Sequence, residues 1–102
     1  MEAYDVRFLK EALDDLEEIV LYIAKDSKAA ALQMYDETIK KANDLSVFPK
    51  RSRLVPDEKM REAGYRMLHI KPFIVFYRVI SRNVFIYRVI HGLINYPMLY
   101  GE

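Results

Sequence analysis

Residues 73–91 read FIVFYRVISRNVFIYRVIH, two β-favouring runs around one polar joint. Phe73 to Ile80 and Val84 to His91 are rich in Val, Ile, Phe and Tyr, the side chains that suit a pleated surface. The joint Ser81-Arg82-Asn83 is short and polar, which makes the pair a hairpin. Register then decides where the cations go. If Ile80 faces Val84, Arg78 and Arg88 share a face; a slip of one residue separates them. Apolar residues occupy both parities, with Phe73, Val75, Tyr77 and Val79 on one and Ile74, Phe76 and Ile80 on the other. A strand with one wet face alternates more cleanly. Both faces of this sheet therefore require cover.

Upstream, Tyr65 to Ile70 reads as a further strand, and Pro72 marks a break or an edge. Residues 50–64, KRSRLVPDEKMREAG, are polar, basic and irregular, with a short turn expected at Asp57–Glu62 and a close at Gly64. Phe48-Pro49 stops a preceding helix whose stripe is Ala31, Leu32, Tyr35, Ile39, Ala42 and Leu45. Asp26-Ser27 supplies its N-cap. Leu9, Leu13, Leu16, Ile19, Val20 and Ile23 recur at helical spacing between acids and define an earlier amphipathic helix. Tyr4 to Leu9 alternates and reads as a first strand. The order is β-α-α-β-β-β. The fold class is α+β, with an N-terminal helical hairpin packed on one face of a small, mainly antiparallel twisted sheet, in a single domain over residues 1–102. No element is left for the second face, so the last ten residues or a partner are expected to cover it. An uncovered apolar face marks an interaction site and makes a homodimer or a heterocomplex plausible.

Composition narrows the function. The chain has 102 residues, 52% hydrophobic and 30% charged, and no cysteine, which excludes disulfides and thiolate metal sites. The charged N-terminus lacks the apolar block of a signal peptide, and no apolar run is long enough to span a bilayer; the expected location is cytoplasmic. The net charge of +1 hides a split. Residues 1–46 hold eleven acids and six bases, whereas residues 47–102 hold four acids and ten bases. A basic half presents a positive field to an acidic partner.

Catalytic motifs are sparse. Three glycines, at 64, 92 and 101, form no phosphate-cradling loop, and no serine sits in a nucleophile motif. His69 and His91 lack partners at metal-ligand spacing, and no cofactor is implied. The remaining chemistry-bearing set is Arg66, His69, Arg78, Arg88, His91, Tyr96 and Tyr100, with Asp57 and Glu58 from the loop. Attack of a ribose 2′-hydroxyl needs a base, an acid and a cation for the phosphate, and these residue types supply them. The same residues also serve structure: a histidine at a strand end hydrogen-bonds locally, and tail tyrosines pack with a wet hydroxyl.

The run GYRMLHIKPFIVFYRVISRNVFIYRVIHGLINYP resembles the C-terminal half of the RelE/ParE toxin superfamily, in its ParE-like, plasmid-stabilisation branch. The shared features are Tyr65-Arg66, Pro72 to Val79, Val84 to Gly92, and Tyr96-Pro97 in the tail, with VPDEKMREAGYR as the loop. The resemblance implies a type II toxin–antitoxin toxin with a cognate antitoxin protein as partner. RelE-like members cut mRNA on the ribosome and place an arginine early in the third strand and others after the last. Here those positions are Ile74 and Leu93-Ile94. ParE-like members inhibit DNA gyrase without a nuclease set. The resemblance therefore implies a gyrase inhibitor whose target and partner surface includes Arg66, Tyr77, Arg78, Arg88, His91, Gly92, Tyr96 and Tyr100. The alternatives are a ribosome-dependent endoribonuclease using Glu58, Arg66, Arg88, His91 and Tyr96, and a non-toxic member that only binds an antitoxin-like partner.

Overall fold

A computed structural model describes residues 3–92. The elements follow in the expected order: β1 (Asp5–Phe8), α1 (Lys10–Ala24), α2 (Lys28–Asp44), a short α3 (Glu58–Glu62), β2 (Arg66–Ile70), β3 (Phe73–Ile80) and β4 (Asn83–His91). The strands form one sheet in the order β1-β4-β3-β2. Strands β2, β3 and β4 pair antiparallel, while β1 lies parallel to β4, so the sheet is mixed. The α1–α2 hairpin carries the chain from β1 across one face before the antiparallel strands begin.

Local chemistry sets the helix ends. Leu9 opens α1 without a side-chain cap, having no polar side-chain atom to offer, and its N–H donates to the Ile86 carbonyl. Ser27 caps α2, its hydroxyl accepting from the Ala30 N–H at 3.1 Å. Helix α2 ends at Asp44, before Phe48-Pro49, and short-range backbone bonds from Leu45, Ser46 and Val47 turn the chain away. Asp57 caps α3 by accepting from the Met60 N–H at 3.1 Å, which gives this loop acid a structural task.

The stripes are narrower than the sequence suggests. In α1, Ala12 and Leu16 are buried and Ile19, Val20 and Ile23 pack beside them, but Leu13 is half exposed. In α2 the buried row is Ala31, Met34, Thr38 and Ala42, while Leu32 and Tyr35 face outward. Small alanines face the sheet and let the helices approach closely. Buried Thr38 satisfies its hydroxyl by donating to the Met34 carbonyl at 2.8 Å.

Two apolar clusters sandwich the sheet. Between sheet and helices lie Leu68, Ile70, Val75, Tyr77, Val84, Ile86 and Val89 with the helical residues. On the opposite face Met67, Ile74, Phe76 and Ile90 pack against Val55 and Met60. The expectation that no element of the chain covers this second face is thus corrected. The basic connection folds back over it, bonding Val55 N–H to the Tyr65 carbonyl and Met67 N–H to the Arg53 carbonyl. Val55 and Met60, five residues apart in a polar segment, carried too weak a period to reveal this. Among the described residues no helix is long and apolar enough to cross a membrane.

Candidate functional site

The β3–β4 register contains both alternatives that the sequence allowed. Ile80 pairs with Asn83, Arg78 with Phe85 and Tyr77 with Ile86; beyond Tyr87 the pairing shifts, so that Phe76 meets Arg88. Tyr87 is the extra residue of a β-bulge, which re-aims the side chains on either side of it. Arg78 and Arg88 consequently serve different neighbours. The Arg78 guanidinium sits 5.3 Å from the Tyr65 ring and 5.9 Å from the Tyr87 ring, within cation–π range. The two rings meet edge to face at 5.1 Å, and Arg78 donates to the Tyr87 hydroxyl at 3.4 Å. Partial burial and the neighbouring Tyr87 push the Tyr65 phenol above its usual range, against the opposing pull of Arg78.

Arg88 turns toward α1. Its Nε and Nη2 donate to the two oxygens of Asp15 at 2.7 and 3.0 Å, a bidentate pair. The same carboxylate accepts the Val89 N–H at 2.9 Å. Asp15 therefore clamps the strand directly after the bulge. It was not singled out in the sequence, because an acid among the acids of an amphipathic helix carries no distinguishing signal.

The other candidates are dispersed. Arg66 donates to the Ser52 carbonyl at 2.7 Å and holds the connection against the sheet edge. Glu58 is exposed on the first turn of α3. Tyr77 is fully buried in the helix-side core, which corrects its placement on a partner surface. Alternation along β3 put Tyr77 on the same parity as Val75, and that parity faces the helices. Its hydroxyl has no hydrogen-bond partner among the described residues. Tyr96, Tyr100, Leu93 and Ile94 lie outside the described residues.

At the far end of β4, His91 pairs with Phe73 and meets its ring edge-on at 5.6 Å. The Gly92 N–H donates to the Pro72 carbonyl at 2.9 Å. A Cβ on Gly92 would stand 3.3 Å from that carbonyl oxygen and 3.6 Å from the Ile74 side chain. Close approach accounts for glycine here. His69, Lys71, Phe73, Ile74, His91 and Gly92 line an open, mainly apolar hollow of about 410 Å³. Ile74 is buried in its wall. Among the described residues no three His, Asp or Glu side chains gather closely enough to hold a metal ion.

A second apolar hollow, of about 230 Å³, lies on the outer side of the helical hairpin. It is lined by Leu13, Leu16, Glu17, Val20, Leu21 and Tyr35. Leu21 is 61% exposed, with Leu13 and Tyr35 close to half exposed. Together these side chains leave an apolar strip open on the hairpin.

The chain matches the family model described as the ParE toxin of the type II toxin–antitoxin system parDE, over residues 6–96. Its fold is similar to that in the chromosomal ParDE toxin–antitoxin system of Pseudomonas aeruginosa, with 21% identity, TM-score 0.71, and coverage of 87% of this chain and 96% of that one. It is also similar to a chain of the RelBE2 toxin–antitoxin complex from Mycobacterium tuberculosis, with 25% identity, TM-score 0.63, and coverage of 89% and 93%. A conserved hypothetical protein from Helicobacter pylori shares the fold at 17% identity and TM-score 0.56, over 86% of this chain and 93% of that one. No curated protein sequence matches.

Proposed function

Because the chain belongs to the ParE toxin family of type II toxin–antitoxin systems, we propose that it arrests growth in the cytoplasm by binding DNA gyrase and is neutralised by a protein antitoxin. The observation that carries this reading is the state of the would-be nuclease groups. Ile74, which the resemblance sets at the position of a phosphate-holding arginine, is buried in apolar contacts. Arg88 is committed to Asp15 and Arg66 to Ser52, while Glu58 stands apart on α3. A nuclease needs its acid, base and cation around one scissile bond. A binding inhibitor needs only a shaped surface.

The antitoxin reading rests on the helical hairpin. The strip of Leu13, Leu21 and Tyr35 accepts the apolar side of a partner helix, in helix-in-groove recognition. The Pseudomonas and Mycobacterium structures similar to this chain are toxin–antitoxin systems.

Purified protein added to a gyrase supercoiling reaction is expected to block supercoiling, and the partner antitoxin to restore it. Translating ribosomes given the same protein are expected to keep their mRNA intact. Cleaved mRNA, lost on His91→Ala, would replace this reading with the ribonuclease one. Inactivity in both assays with antitoxin still bound would leave a member that only binds its partner.

A further inference from the structure

At the turn end of the sheet, opposite His91 along β4, Tyr4, Val47, Phe48, Pro49, Lys50, Arg51 and Arg82 line an open hollow of about 660 Å³. We propose that this hollow binds a short single-stranded nucleic-acid segment, stacking a base on Phe48 and holding phosphates with Lys50, Arg51 and Arg82.

Three observations converge. Phe48 is 60% exposed and belongs to neither core cluster, so its ring is available as a platform. The Arg82 guanidinium lies 4.3 Å from the centre of the Tyr4 ring, which fixes a cation at the rim. The connection supplies VFPKRSR, with no acid between Leu45 and Pro56. These groups come from the residue before β1, the α2–α3 connection and the β3–β4 turn, so the fold assembles the cluster from separated segments. Exposed aromatic rings interleaved with cations are what a single strand requires, because every base has a stackable face. An acidic peptide would engage the same cations but leave Phe48 in water. Acids of α2 border Arg51 on its other side, with Asp36, Glu37 and Asp44 lining the neighbouring groove. That boundary limits the site to a short segment.

The chain contains no tryptophan, so Phe48→Trp places a single fluorescent reporter at the proposed stacking position. Titration of the full chain with a ten-nucleotide oligothymidylate is expected to quench that tryptophan. With labelled oligonucleotide and the natural chain, log K should fall with log salt at a slope near −2, as expected for about three cations on a single strand. Phe48→Ala should weaken binding about tenfold, within the range for one stacked base. Lys50→Glu with Arg51→Glu should abolish it, with the circular dichroism unchanged because these side chains are exposed. Absence of quenching, equal affinity for a duplex, equal affinity for an oligoglutamate peptide, or an unaltered Phe48→Ala would each overturn the proposal. The gyrase reading does not depend on this hollow and is decided by the supercoiling reaction.

Discussion

Asp15 shows how much one side chain can hold in place. Its carboxylate takes two N–H bonds from Arg88 and one from the Val89 backbone, and its side chain is only 14% exposed. Removing it takes the carboxylate from a partly buried guanidinium and the acceptor from the Val89 backbone N–H. Charged hydrogen bonds of this kind contribute about 1.5–3 kcal/mol each, less where water reaches them. Asp15→Ala is therefore expected to destabilise the protein by about 2–3 kcal/mol, which thermal unfolding would register as a fall of roughly 10 °C or more. Tyr65 gives a pH signature. Burial raises its pKa in the folded state, so folding favours the neutral phenol. That contribution is complete below the unfolded pKa of about 10 and is lost as pH rises through the folded value. Tyr65→Phe should flatten the alkaline decline in stability, read by denaturant titrations on either side of that range. Ile74 tests the functional argument. Its neighbours are Met67, Phe76 and Ile90, and an arginine there would bury a charge among them. Ile74→Arg is expected to lose about 3 kcal/mol of stability and gain no ribonuclease activity; a stable variant that cut mRNA would show that this scaffold still accommodates the nuclease chemistry. Of these residues only Ile74 was legible in advance, through the resemblance. Asp15 and Tyr65 acquire their roles from partners distant in sequence.

Among the elements, strands were the most legible. Phe73–Ile80 matches the expected span, because β-branched and aromatic runs leave few alternatives. The hairpin joint was less so. Asn83 pairs with Ile80, which leaves Ser81-Arg82 as a two-residue turn, and Ser81 holds φ at 56°. A positive φ at the first central position is the geometry that glycine occupies in type II′ turns, and a serine Cβ is strained there. Ser81→Gly should raise the unfolding midpoint by a few degrees, for about 0.5–1 kcal/mol, without altering the sheet. A drop would mean that the serine side chain stabilises the turn. The bulge at Tyr87 was invisible in sequence, since a period-two pattern remains plausible on both sides of an inserted residue. It nevertheless decides which arginine goes where. Helix stripes failed in a different way. Leu13, Leu32 and Tyr35 have core-like chemistry at helical spacing, yet the helix-side core takes only a narrow strip of each helix, Ala12 and Leu16 from α1 and Met34 and Ala42 from α2.

Across the whole molecule, five of the nine large apolar side chains exposed among the described residues gather in two hollows. Leu13, Leu21 and Tyr35 line one hollow on the outer side of the hairpin, bordered by Glu17, while exposed Phe48 and Val47 lie in the basic hollow beside Lys50 and Arg51. The charge split along the sequence thus becomes a split in space between an acid-bordered apolar strip and a basic aromatic one. The two suit different partners. An amphipathic helix with apolar anchors and a cation opposite Glu17 fits the hairpin; an anionic chain fits the other end. Leu21 separates a folding role from a binding role, because at 61% exposure it contributes little to the core. Leu21→Asp is expected to leave the unfolding temperature within a few degrees of the natural chain and to improve solubility, since it breaks up an exposed apolar patch. Its affinity for the antitoxin should fall at least tenfold, because a carboxylate would be desolvated in the contact beside Glu17. Under the proposed gyrase reading, inhibition by the variant is expected to persist when antitoxin is added at concentrations that silence the natural chain. If antitoxin still bound Leu21→Asp with unchanged affinity, the hairpin hollow would not be its seat, and the strand-end hollow around Ile74 and His91 would become the next apolar surface to test.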